Sequence, residues 1–199
     1  MIVDSTLIDG FSHTILKANS QHNIVRLSHS MSENQIQSKN WLVNELLKIH
    51  QPKNTLLLGC WFNILLPYML QNNNRFTGVD LDLDVKFMSD TFNSRVYGDQ
   101  NPVNTIISDA KDFMLTNDIK QFDVVINTSC EHMAFNMKEL IFDKEPLFVL
   151  QSNNYLIPEH INCKNTLDEF VDSTGLSNIN FAGQLNLPKY SRFMVIGRL

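Results

Sequence analysis

The sequence predicts an α/β domain: a three-layer, doubly wound sheet of seven strands with helices between them. Three observations carry this. Apolar runs of strand length recur at residues 55–58, 76–81, 104–108, 122–127 and 147–151, with helical stretches between them. That alternation is the signature of parallel strands buried on both faces. Residues 54–84 read as strand, tight turn, helix and strand, one complete βαβ unit. The last two runs, 178–187 and 192–197, are separated only by a short segment containing Pro188, which signals a hairpin.

In chain order, the first 30 residues carry the weakest pattern. Residues 2–8 suggest a short strand with a turn at Gly10, and the stretch 13–29 has no clear period. Its scattered histidines fit surface positions better than metal ligands. From Ser32 the signal sharpens. Ser32 with Gln35 fits a capping box, and Ile36, Leu42, Val43, Leu46 and Leu47 give an apolar face across 35–49 before Pro52 ends the helix. Lys39 on this helix could reach a ligand carboxylate, but it fits a solvated lysine better. The first strand of the βαβ unit stops at Gly59. Asn63 is suited to cap a helix over 64–70, with Pro67 in its first turn. The second strand closes on Asp80, with Asp82 just beyond, and Asp84 favours the start of a helix over 85–92. A loop over 95–103 leads to the third strand, then to Asp109-Ala110 and a helix over 111–115, which Asp109 is also suited to cap. The fourth strand runs into Thr128-Ser129-Cys130-Glu131-His132-Met133, and a helix is expected over 134–140. After the fifth strand come Asn153, Asn154, Tyr155, His160 and Cys163. A helix over 166–174 then ends at Gly175.

A turn after the first strand and a carboxylate closing the second are how such sheets hold nucleotide-type ligands. The backbone of the turn approaches the ligand, and the carboxylate bonds ribose hydroxyls. The spacing resembles class I S-adenosylmethionine (SAM) dependent methyltransferases, with Gly59 at the first turn glycine and Asp80 at the ribose carboxylate. Where that family reads acidic-x-Gly-x-Gly-x-Gly, this chain has Leu57, Trp61 and Asn63 in place of the acid and of the second and third glycines. The Phe-Asp-Val-Val run before a polar turn with a Glu-His pair is a second point of likeness. The Gly-x-Trp turn is similar to that of small phage-encoded methyltransferase-like proteins.

The resemblance spans about residues 35–199. It implies the sheet order 3-2-1-4-5-7-6 with the last strand antiparallel. It also implies one methyltransferase-like domain over 1–199, with 1–50 as an N-terminal helical extension. SAM would be the cofactor, bound by Gly59, Cys60, Trp61, Asp80, Leu81, Asp109, Ala110 and Asn127. Glu131 and His132 would be catalytic, with His132 the better base. Asn153, Asn154, Tyr155 and His160 would bind the acceptor, a small molecule or a protein side chain. The alternative, favoured by Leu57, is a binding or scaffold protein of this fold that has lost catalysis inside a larger assembly.

Composition narrows the partners. With 43% hydrophobic and 19% charged residues the chain is of globular type, and its 199 residues suffice for one substantial core. A net charge of −5 argues against an extended nucleic-acid surface. Three cysteines, Cys60, Cys130 and Cys163, give no disulfide framework, and a cytoplasmic setting is expected. No signal-peptide pattern and no bilayer-length apolar run is present, so no membrane partner is expected. Cys130 lacks the Pro-Cys context of a methyltransferase nucleophile. Cys130, His132, His160 and Cys163 form a two-Cys, two-His set, but Cys-x-His is too short for the usual zinc knuckle, and no metal is expected.

Overall fold

The computed structural model describes residues 4–140 and 146–199. Its centre is one sheet of β1 (Asn54–Leu58), β2 (Arg75–Asp80), β3 (Val103–Ile107), β4 (Val124–Asn127), β5 (Leu147–Asn153), β6 (Asn178–Asn186) and β7 (Ser191–Arg198). The strands lie in the order β3-β2-β1-β4-β5-β7-β6, as the sequence led us to expect. β1 pairs in parallel with β2 and β4, β3 with β2, and β5 with β4. β7 runs antiparallel to both β5 and β6.

The two-residue period of the strands sorts side chains between the layers. Leu56 and Leu58 of β1, Phe148 and Leu150 of β5, and Phe193 and Val195 of β7 face one layer. There they meet Phe113 and Met114 of α6 (Ala110–Thr116) and Phe170 of α7 (Leu167–Thr174). Leu57, Val149, Met194 and Ile196 face the other, against Leu42 and Leu46 of α3 (Glu33–Ile49) and Leu66 of α4 (Leu65–Met69). A third apolar cluster joins α1 (Ser5–Lys17) and α2 (Gln21–Ser30) to α5 (Leu83–Tyr97) through Leu7, Leu27, Met88 and Phe92. Below β1, the Asp123 carboxylate accepts the amides of Lys53 and Asn54 at 2.9 and 2.8 Å. This gives the Asp of the Phe-Asp-Val-Val run a physical role: it ties β4 to the start of β1.

Several local expectations are corrected. Residues 5–8 are helical, not extended, and Gly10 lies inside α1. Residues 2 and 3 of the expected strand lie outside the described residues. The helix fits because α1 runs close against α5: a Cβ on Gly10 would sit 2.6 Å from Val96 Cγ2. Ser32 starts α3 without a side-chain capping bond, and the Gln35 side chain accepts from Lys39 rather than closing a capping box. Asn63 does not cap α4; its side chain turns inward to donate to Thr105 Oγ1 at 3.2 Å. α5 continues to Tyr97, through part of the expected loop. The expected helix over 134–140 is reduced to a single 3-10 turn, Met137–Leu140.

Candidate functional site

The site lies where open α/β sheets bind ligands, beyond the C-terminal ends of the strands at the point where the order reverses between β1 and β4. A cleft of about 820 Å³ opens there, a size typical of small-molecule sites.

One wall is the turn after β1. Gly59, Trp61 and Asn63 all have left-handed backbones, with φ of 56°, 49° and 51°. The residues at the three glycine positions of the resembled motif thus keep a glycine-like path. For Trp this is an uncommon conformation, and what holds it is tertiary. The Trp61 amide donates to Asp80 Oδ2 at 2.9 Å, and its ring stacks on Phe62 with centroids 5.5 Å apart. Asp80 Oδ1 accepts the Asp82 amide at 3.2 Å. Burial, ahead of the acceptor bonds that oppose it, holds the Asp80 carboxyl above its usual range. Two amides leave a carboxylate further lone pairs for a ligand's hydroxyls.

The floor beyond β3 carries Ser108, Asp109 and Ala110. Asp109 caps α6, its Oδ1 accepting the amides of Lys111 and Asp112 at 2.7 and 3.1 Å. On the outer side, Arg26 of α2 reaches over. It pairs with Asp82 at 2.6 Å and lies 5.5 Å from the centre of the Phe62 ring.

The opposite wall is a polar cluster. Glu131 and Arg192 are each 3% exposed, with Arg192 Nη1 3.5 Å from Glu131 Oε1. Glu131 Oε1 also accepts from Asn153 Nδ2 at 2.5 Å, whereas Oε2 is buried without a partner among the described residues. Arg192 also donates to Gln151 Oε1 and to the Thr128 carbonyl. Lys39 Nζ donates to Gln35 Oε1 and Thr128 Oγ1, both at 3.1 Å. Burial first, and the Arg192 charge second, push the Lys39 ammonium down to about 7. The reading of Lys39 as solvated is therefore corrected: it lines the cleft. His132 and His160 stand edge to face, with ring centroids 4.5 Å apart.

Gly59, Cys60, Trp61, Asp80, Leu81, Asp109, Ala110, Glu131, His132 and His160 all line this cleft. Four other candidates stand behind its walls. Asn127 is fully buried, and its Oδ1 accepts the Ser129 amide at 2.9 Å. Asn153 supports Glu131 and, through Oδ1, the Tyr155 amide. Asn154 Oδ1 accepts the Ser191 amide, and Tyr155 stacks on Tyr190. These four shape the wall without facing the cavity. Burial pushes the Cys60 and Cys130 thiols up, which leaves neither suited to act as a nucleophile. Arg26 and Arg192 are additions that the sequence reading did not include. An arginine directly before the apolar run 193–196 was the visible signal for the second.

No family model matches the chain, and no curated protein matches its sequence. Solved structures do match. Magnesium protoporphyrin IX methyltransferase from Synechocystis PCC 6803, with bound S-adenosylhomocysteine (SAH), aligns with a TM-score of 0.65 at 15% identity, over 98% of this chain and 100% of that one. The N-methyltransferase NodS from Bradyrhizobium japonicum WM9 aligns at 0.61 and 10% identity, over 84% and 97%. The bifunctional kinase-methyltransferase WbdD aligns at 0.63 and 12% identity over 83% of this chain, which spans only 39% of WbdD. At these identities the likeness is one of architecture: the chain has the fold of class I SAM-dependent methyltransferases.

Proposed function

We propose that the chain, taken as one domain over 1–199 with the helices of 1–50 as its extension, binds SAM and transfers its methyl group to a small-molecule or protein acceptor. The observation that carries this reading is the β1–α4 turn. It keeps left-handed backbone at 59, 61 and 63 and is bonded to Asp80, although two of the three positions are not glycine. Such strain persists where surroundings over-determine it, and it clusters at ligand sites.

In this reading the Gly59–Asn63 backbone lies along the methionine part of the cofactor, Asp80 bonds its ribose, and Asp109 with Ala110 flanks its adenine. The desolvated Asp80 gains from hydroxyl donors what it lost on burial. SAM, when bound, supplies a methyl group on a sulfonium centre. The chain supplies alignment and exclusion of water. Glu131 and His132 receive the acceptor's proton and His160 helps to hold the acceptor, while Asn153, Asn154 and Tyr155 fix the loops that carry them.

Isothermal calorimetry with SAM and with SAH tests the reading. The wild-type chain is expected to bind both. Asp80→Ala is expected to weaken binding at least about tenfold, or ~1.4 kcal/mol. Asp80→Asn, which keeps an acceptor for the Trp61 amide, separates loss of charge from loss of the turn. Absence of binding by the wild-type chain would favour a scaffold role.

A further inference from the structure

The wall opposite the cofactor side holds a group that neither the fold nor the cofactor reading requires. One carboxylate oxygen of Glu131 and one ring nitrogen each from His132 and His160 lie within 4.8 Å of one another. All three residues face the cleft. Two independent features show that this convergence is prepared for a ligand.

The first is tautomeric. His132 Nδ1 lies 3.0 Å from the Glu159 carbonyl oxygen, and His160 Nδ1 lies 2.6 Å from that of Tyr155. A carbonyl only accepts, so both Nδ1 atoms carry the proton. In the neutral rings, both Nε2 atoms then present a lone pair. A backbone carbonyl fixing one ring nitrogen so that the other faces a common point is the usual outer support of metal-binding histidines. The second is the orphan oxygen. Asn153 and Arg192 both engage Glu131 Oε1, and they leave Oε2 buried with no partner among the described residues. A buried acceptor in that state is destabilising unless something occupies it. Arg192 and Asn153 also fix the rotamer that points Oε2 away from themselves.

We propose that Glu131 Oε2, His132 Nε2 and His160 Nε2 form a binding site for a divalent transition-metal ion, open to the cleft on its remaining positions. Two imidazoles and one carboxylate select a first-row transition ion over Mg²⁺ or Ca²⁺, which take mostly oxygen ligands. A tetrahedral ion with bonds of about 2.0–2.1 Å holds its ligand atoms roughly 3.3 Å apart. From separations of up to 4.8 Å the atoms close by at most roughly 1.5 Å to reach that spacing, and His132 is exposed and His160 half-buried. Cys130 and Cys163 lie outside this group. The ligand set thus differs from the two-Cys, two-His combination visible in the sequence.

The role of the ion rests on the methyl-transfer reading. The acceptor is then a hydroxyl compound whose oxygen ligates the ion. Its O–H proton leaves to water, and the oxygen lone pair forms the new bond to the methyl carbon as the carbon–sulfur bond breaks. With the ion bound, His132 serves as a ligand in place of the proton-accepting role it has in the metal-free site.

The test uses the full chain freed of metal by a chelator. Zn²⁺ is titrated by calorimetry, and Co²⁺ by its visible ligand-field absorption. One equivalent is expected, with Mg²⁺ failing to compete at equal concentration. His160→Ala and His132→Ala are each expected to weaken Zn²⁺ binding at least about tenfold, and Glu131→Gln to do the same. His29→Ala, which alters a cleft histidine outside the group, is expected to bind Zn²⁺ as the wild type does. Circular dichroism confirms that each variant is folded. Less than one equivalent bound by the wild-type chain, or binding unchanged in both His160→Ala and His132→Ala, overturns the site. SAM titration of the metal-free chain, run separately, reads the cofactor proposal alone.

Discussion

Asn63 shows at the scale of one residue how the cofactor-side turn is held. Its φ of 51° costs an L-residue about 1–2 kcal/mol, less for Asn than for most others. Its Nδ2 donates to Thr105 Oγ1, and its carbonyl accepts from Asn93 Nδ2, both at 3.2 Å. Asn63→Ala removes the side-chain bond and keeps the strain, so a loss of about 2 kcal/mol is expected, read as a lower urea midpoint at unchanged slope. Asn63→Gly, free to adopt the same backbone, is expected to lose less. Gly59 was legible in the sequence because glycine announces a left-handed turn. Trp61 and Asn63 were not, because bonds to Asp80 and Thr105, distant in sequence, hold their conformations. Lys39 is a second residue-scale case. Its folded pKa of about 7 lies below the ordinary lysine value of 10.5. Between those values the unfolded chain binds more protons than the native one, so stability rises with pH across that window and is lost as pH falls towards 7. The wild type is therefore expected to gain on Lys39→Met between pH 7 and 10, with a constant difference below pH 7. NMR of dimethylated lysines is expected to find one resonance titrating near 7. Absence of any lysine resonance titrating near 7 would show that Lys39 is solvated after all.

The element that the sequence concealed most is the helical pair α1 and α2. The start signals were present: Asp4 Oδ1 accepts the Leu7 amide at 3.0 Å and Ser20 Oγ the Asn23 amide at 3.1 Å. They were masked by β-branched residues early in the segment and by Gly10 mid-helix, both of which count against a helix until the close packing on α5 is known. α2 matters for function because it forms one flank of the cleft. It is fastened there by Arg26, which pairs with Asp82, the residue that also caps α5 through the Asp84 amide at 2.9 Å. Both side chains of the bridge are partly exposed, at 24% and 35%, so the pair contributes roughly 0.2–1 kcal/mol, with a similar amount from the guanidinium over Phe62. Arg26→Ala is therefore expected to leave the global urea midpoint almost unchanged. Amide hydrogen exchange in α2 is expected to speed up relative to α3, because a helix held by few contacts opens locally before the domain unfolds. Equal protection of α2 in variant and wild type would show that the apolar contacts of Leu27 alone hold the flap.

At the scale of the whole molecule, sheet order and direction were legible because buried parallel strands write themselves as apolar runs, and a hairpin writes itself as two runs with a short turn. The polar wall was only half legible. Glu131 and His132 stand in the turn after β4 and drew attention as a pair. Arg192 belongs to the last strand, and only the insertion of β7 between β5 and β6 brings it there, with Arg192 opposite Asn153 in the ladder. Topology thus builds the charge pair, and burial makes it costly to break. Arg192→Met is expected to destabilise the fold by about 3–5 kcal/mol, since it leaves the 3% exposed Glu131 without its counter-charge. Glu131→Gln alone strands the guanidinium, but Arg192 keeps its bonds to Gln151 and Thr128, so a smaller loss follows. The double variant removes both charges together and is expected to be more stable than Arg192→Met alone. In a urea-denaturation double-mutant cycle, the coupling should then be of order 1–3 kcal/mol. Single losses that simply add would mean that Glu131 does not depend on Arg192, and that some other cation balances the carboxylate at the mouth of the cleft.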